Sequence, residues 1–158
     1  MALVDQLDVD GYLVASPYYN RPPQDGIAAH FEQVCSATGR PVMLYNVPHR
    51  TGSNVSNDTV LQIAEACPNL VAVKDSCGDL TQSVDLIRQA PESLAILTGE
   101  DAQFLYTATA GGAGGVLAAA HLATTDFVRF HMLMRDQELD EANAVVRRTR
   151  AARSAVVR

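Results

Sequence analysis

Apolar and polar positions along this chain follow two rhythms. Five short apolar runs, at residues 11–16, 41–47, 70–74, 94–98 and 115–119, each stop at a polar or turn-forming cluster. Runs of this length read as strands buried on both faces. Between them the apolar residues return at helical spacing. Ile27, Phe31, Val34 and Cys35 fall at i, i+4, i+7 and i+8; Val60, Ile63, Ala64 and Cys67 fall at i, i+3, i+4 and i+7. Each set makes one helix face. Leu80, Val84 and Ile87 follow a candidate N-cap, Asp79, with Gln82 three residues on. A fourth helix is predicted from near Asp101 through Phe104, Leu105 and Ala108, with Glu100-Asp101 as its cap. Two more are expected around Phe127, Phe130 and Met134, then Leu139, Ala142 and Val146.

Strand alternating with helix predicts a parallel sheet with helical crossovers. Five such units fit a doubly wound sheet or part of a (β/α)8 barrel. A full barrel takes ~200 residues or more, so a chain of 158 residues is too short to close one alone. In either fold the strand ends line the mouth where chemistry occurs. They carry Tyr18, Tyr19 and Arg21, then Tyr45 and Arg50, then Lys74-Asp75-Ser76, Thr98-Gly99-Glu100-Asp101, and Leu117. Lys74 ends the run Leu70-Val71-Ala72-Val73. An ammonium at such a place is poorly hydrated, which favours the neutral amine that a Schiff-base enzyme needs. The plain alternative is a lysine whose stem packs while its head reaches water. A phenol can move protons to and from a carbinolamine, and an arginine fork suits a carboxylate. Together these residues describe a site for a small keto acid.

Composition narrows the picture. A hydrophobic share of 47% and a charged share of 19% are ordinary for a globular domain, and the net charge of -6 argues against a nucleic-acid surface. The basic tail, Arg147, Arg148, Arg150, Arg153 and Arg158, reads as the end of an amphipathic helix. The three cysteines, Cys35, Cys67 and Cys77, are widely spaced and form no CxxC pair, so neither a disulfide framework nor a zinc site is suggested. No basic, apolar leader and no run of about 18 apolar residues is visible, so a membrane partner is not expected and the cytoplasm is the default location. The run Gly111-Gly112-Ala113-Gly114-Gly115 follows a helix and precedes a strand, the wrong order for a phosphate cradle, and reads as a tight αβ turn. The four histidines show no metal-ligand spacing.

Three motifs, in order, carry a resemblance. Ser16-Pro17-Tyr18-Tyr19-Asn20-Arg21-Pro22, Leu44-Tyr45-Asn46-Val47-Pro48 with Arg50-Thr51-Gly52, and Val73-Lys74-Asp75-Ser76-Cys77-Gly78-Asp79 resemble the dihydrodipicolinate synthase / N-acetylneuraminate lyase family of pyruvate-dependent class I aldolases. Leu97-Thr98-Gly99-Glu100-Asp101 and the Gly111–Gly112 to Leu117 stretch are similar to its next two strand regions, and the resemblance runs over about residues 11–146. It implies a partial (β/α)8 TIM barrel, strands four to eight, over residues 1–122, and the start of a helical C-terminal domain over 123–158. It implies that Lys74 forms the imine with pyruvate, without a cofactor. Tyr45 would relay protons, and Tyr19 would cross a subunit interface into a neighbouring site. Arg50 would bind the carboxylate of the second substrate, with Gly99 and the backbone near Leu117 lining the pocket. The implied assembly is a homotetramer, the implied substrates pyruvate and an aldehyde. Arg50 points to the synthase branch, which acts on aspartate semialdehyde.

The chain also departs from the family. Its first three strands are absent, and with them a Gly-Thr-Thr-Gly-Glu segment that supplies part of the proton relay. Residues 1–10 do not resemble the usual lead-in helix, Ala118-Ala119-Ala120-His121 replaces a more common Thr-Ala-Asn, and residues 147–158 no longer follow the pattern. Both ends are therefore expected to be cut. Two other readings follow: a non-catalytic remnant or partner subunit, and an aldolase for a 2-keto-3-deoxy sugar acid.

Overall fold

Strand and helix alternate as the hydrophobic rhythm predicts. The computed structural model describes residues 4–156. Five strands, β1 (Tyr12–Ala15), β2 (Val42–Asn46), β3 (Leu70–Asp75), β4 (Ala95–Thr98) and β5 (Gly114–Gly115), form one parallel sheet. The helices are α1 (Gln24–Ser36), the single-turn α2 (Pro48–Thr51), α3 (Asn57–Ala66), α4 (Leu80–Gln89), α5 (Phe104–Thr109), α6 (Ala120–Arg135) and α7 (Leu139–Val156). The strands lie side by side in sequence order. A doubly wound sheet reverses its order at a switch point and a barrel does not. The order thus decides for part of a (β/α)8 barrel followed by helices.

Register assigns the two faces of the sheet. Val14, Leu44, Val73 and Ile96 are partners across four strands. They point at the helices and join Ile27 and Phe31 of α1, Val60 and Ile63 of α3 and Leu86 of α4 in the main core. Side chains alternate along a strand, so the next row, Ala15, Tyr45, Lys74 and Leu97, points to the opposite, open face. Leu13, Met43 and Val71 line a cleft of about 380 Å³ near the strand starts, where Leu13 is 51% exposed. The register slips there: Val42 pairs with Leu70 but Met43 with Ala72, leaving Val71 as a bulge. A second core holds Phe104, Leu117, Ala119, Phe127, Phe130, Ala142 and Val145, where α5, α6 and α7 meet.

Three expectations are corrected. The fifth strand spans only Gly114–Gly115 rather than 115–119. The Val116 N–H still donates to Thr98 O (2.9 Å), but the Ala119 N–H turns to the Asp101 carboxyl (3.0 Å), which draws the chain off the ladder. For the same reason Asp101 caps no helix; α5 starts at Phe104, and Gln103 precedes it without a side-chain cap. Cys35 and Cys67, far apart in sequence, both end in the main core as free thiols. Burial, then the neighbouring Cys67, pushes the Cys35 thiol up to about 12. The glycine run is the αβ turn expected only over its first part, where Gly112 donates to Thr107 O (2.8 Å) and Gly111 takes a φ of 95°; its last two glycines, Gly114 and Gly115, are β5 itself. Within α6, Ala123 breaks the helical backbone (φ -145°, ψ 43°). No described helix is long and apolar enough to cross a membrane.

Candidate active site

The site is built around the end of β3. Lys74 is half-buried and its Nζ lies 4.2 Å from the centre of the Tyr45 ring. The contact follows from register, since Tyr45 on β2 and Lys74 on β3 are direct partners. An ammonium over an aromatic face is attracted by the ring quadrupole. The other wall is set by Gly99, just after β4, whose N–H donates to Asp75 O (2.7 Å). A Cβ at Gly99 would lie 2.0 Å from Ser76 Oγ and 2.9 Å from Lys74 Cε. Only glycine lets the Lys74 stem and the Ser76 hydroxyl meet there. Lys74 therefore rises through a slot with Tyr45 on one side and Ser76 and Gly99 on the other.

The slot is held from behind by polar groups on the helix side of the sheet. The Asp75 carboxyl is buried. It accepts from Asn46 Nδ2 (3.2 Å), Cys77 N–H (3.1 Å) and Ser83 Oγ (2.5 Å). Asn46 Oδ1 in turn accepts from the Val55 N–H (3.1 Å). Cys77 Sγ donates to Asp75 Oδ2 (3.3 Å); burial above all, against the hydrogen bond from Ser83, pushes its thiol up to about 11. The cap on α4 is as expected, with Asp79 accepting from the Thr81 (2.9 Å) and Gln82 (3.2 Å) amides. The Gln82 side chain instead crosses to Val55 O (2.9 Å) and Asn54 (2.7 Å).

The rim carries the remaining candidates. Arg50 sits exposed on α2, which ends at Gly52 in a left-handed turn (φ 77°). Arg21, itself at φ 44°, lays its guanidinium over Gly52, where a Cβ would lie 2.5 Å from Nε. A second arginine thus borders the turn that bears Arg50. Tyr19 is 90% exposed. The Leu117 side chain is buried in the second core.

Of the residues singled out in the sequence, the structure brings Lys74, Tyr45 and Gly99 together, and leaves Tyr19, Arg50 and Leu117 at or beyond the rim. Gly99 acts by its missing side chain. Asp75, Ser76 and Arg21, which stand at the strand ends in the sequence, carry no individual role there. A signal for Ser76 was present: two residues after Lys74 on a strand, it shares the same face.

A family model described as the dihydrodipicolinate synthetase family matches residues 2–154, wider at both ends than the 11–146 stretch that holds the motifs. The chain is 46% identical over 126 residues to 4-hydroxy-tetrahydrodipicolinate synthase 2 of Clostridium acetobutylicum, an alignment covering 80% of this chain and 44% of that protein. Dihydrodipicolinate synthase from Thermotoga maritima superposes with a TM-score of 0.93 at 30% identity, over 99% of this chain and 54% of that one. The chloride-inhibited enzyme from Acinetobacter baumannii, solved in complex with pyruvate, superposes with a TM-score of 0.86 at 30% identity, over 92% and 50%. The chain spans about half the length of the relatives it matches.

Proposed function

Because the chain belongs to the dihydrodipicolinate synthetase family, we propose that it condenses pyruvate with aspartate semialdehyde through an imine on Lys74. That is the 4-hydroxy-tetrahydrodipicolinate synthase reaction of lysine and diaminopimelate biosynthesis. The observation that carries this reading is the Lys74 Nζ held 4.2 Å from the Tyr45 ring by strand register. An amine fixed beside a phenol has the nucleophile and the proton carrier that imine chemistry uses. The free amine attacks the keto carbon, and the C–N bond forms as the carbonyl electron pair moves to oxygen. The two amine protons leave with that oxygen as water. The imine nitrogen takes up a proton as the methyl group loses one, which gives an enamine; its carbon attacks the aldehyde carbon while the aldehyde oxygen takes a proton. Tyr45 relays these protons in our reading. The covalent imine takes the place of a cofactor.

Arg50 would bind the carboxylate of the aldehyde at the rim, where its fork suits two oxygens. The exposure of Tyr19 supports a place in a neighbouring subunit's site within a homo-oligomer. Gly99 clears the pocket floor and the Leu117 backbone lines it. Residues 1–122 would be the barrel portion and 123–158 the helical portion, a division that the break at Ala123 supports. The cytoplasm is the location this pathway implies.

A second reading rests on the open sheet face. Leu13 and Val71 are exposed there, which favours a chain that works only in association with another polypeptide. The imine itself is tested by borohydride reduction with pyruvate and mass spectrometry of the peptide containing Lys74. A pyruvate adduct on Lys74, absent in Lys74→Ala, is expected. No adduct, or equal yield in Lys74→Ala, rules the reading out.

A further inference from the structure

We propose that Ser76 is a positioning residue for Lys74: its buried hydroxyl, unpartnered among the described residues, accepts an amine N–H when the amine swings from the Tyr45 ring to attack, and so aims the nitrogen lone pair at the incoming carbonyl. This rests on the imine reading above and assigns a role to a residue that reading leaves idle.

Three observations converge on it. Ser76 follows Lys74 by two positions at the end of β3, which places both on the open face. Its side chain is 2% exposed, and its hydroxyl makes no hydrogen bond among the described residues. A buried hydroxyl without a partner is destabilising, and a donor that reaches it offsets that cost. Finally, one point in space, the place a Gly99 Cβ would take, lies 2.0 Å from Ser76 Oγ and 2.9 Å from Lys74 Cε. The lysine stem therefore passes beside this oxygen, with the Tyr45 ring on its far side. The other serines near the mouth are differently placed. Ser83 Oγ is taken by Asp75 (2.5 Å). Ser16 also has an unpartnered hydroxyl, but it follows Ala15 by one position and so turns to the helix side, away from the row of Lys74.

A neutral amine carries two N–H groups and one lone pair. Holding one N–H on Ser76 Oγ leaves the lone pair directed out of the slot. No covalent bond to serine forms or breaks; the proton inventory of the imine step is unchanged. A misdirected nucleophile loses up to about a hundredfold in rate.

The test compares wild type, Ser76→Ala and Ser76→Thr of the 158-residue chain, all checked for folding by circular dichroism. The first measurement is the rate of borohydride-trapped pyruvate adduct on Lys74 against pH. We expect about a tenfold fall in Ser76→Ala and recovery in Ser76→Thr, which keeps the hydroxyl. The second uses no pyruvate: competitive acetylation of Lys74 against pH, read by mass spectrometry. Its profile should move in Ser76→Ala and not in Ser76→Thr. Wild-type rate and an unmoved acetylation profile in Ser76→Ala overturn the inference. Absence of a wild-type adduct defeats the imine reading instead, and the acetylation profile then decides the Ser76 contact alone. If Ser76→Ala folds poorly, Ser76→Cys, a weaker acceptor of similar size, supplies the same comparison.

Discussion

At the end of β3 a single carboxyl gathers four hydrogen bonds. Asp75 accepts from Asn46, the Cys77 amide, the Cys77 thiol and Ser83, while its carbonyl accepts from Gly99. The residue thereby ties β2, β3, β4 and α4 together directly behind Lys74. Its neighbours inherit their geometry from it: Ser76 and Gly99 meet only because Asp75 pins both their segments. Ser83→Ala should remove the shortest of these bonds and leave the buried Asp75 Oδ2 with only the weak donor Cys77 Sγ. The expected cost is about 1–3 kcal/mol, read as a lower urea midpoint with an unchanged slope. An unchanged midpoint would show that the carboxyl is satisfied without Ser83.

Elements are joined by a few polar clamps at their ends. Gln24 at the start of α1 reaches the start of α3, donating to Asn54 O (2.8 Å) and accepting from Ser56 N–H (3.0 Å) and Thr59 Oγ1 (2.7 Å). Asn69 Nδ2 donates to Cys35 O and Thr38 O, both at 3.0 Å, which closes the end of α1 against the start of β3. His30 packs α1 over β1, and its Nε2 is buried without a partner. Burial lowers its pKa from 6.5, opposed by a hydrogen bond with the Ala15 backbone. The folded chain thus binds this proton less readily than the unfolded one. The contribution is whole above pH 6.5 and is lost as the pH falls through the folded value. Urea midpoints at pH 7 and pH 5 should therefore differ more in wild type than in His30→Gln. Equal differences would mean that α1 moves off β1 freely enough to hydrate the ring.

The whole molecule is an open sheet with helices on one face and the Lys74 row on the other. That open face carries Leu13, Met43 and Val71 beside a wide cleft, and apolar surface of this kind drives association. Self-association that grows with concentration is the expected behaviour in sedimentation velocity, with a shift toward a 16.9 kDa monomer in the double variant Leu13→Glu, Val71→Glu. A wild-type chain that sediments as a monomer at all concentrations would show that the face is tolerated in water.

The amino-acid pattern by itself determined the βα alternation, the helix faces, the cap at Asp79, the glycine turn and the prominence of Lys74. These are local: they depend on periodicity and on the chemistry of adjacent residues. It missed what depends on partners distant in the chain. Asp101 became an acceptor for Ala119, eighteen residues on, and so β5 shortened and α5 began late. Cys35 and Cys67 became neighbours across two helices. Periodicity left barrel and doubly wound sheet both open; the motif resemblance implied the barrel, and the strand order bears it out, because strand adjacency is decided by packing between units. Tertiary structure alone put Tyr45 beside Lys74, since their pairing depends on a register that slips by one residue at Val71. And it alone gave Gly99 a purpose, because the space a missing side chain leaves has meaning only when atoms of a neighbouring strand, Lys74 and Ser76 at the end of β3, converge on it.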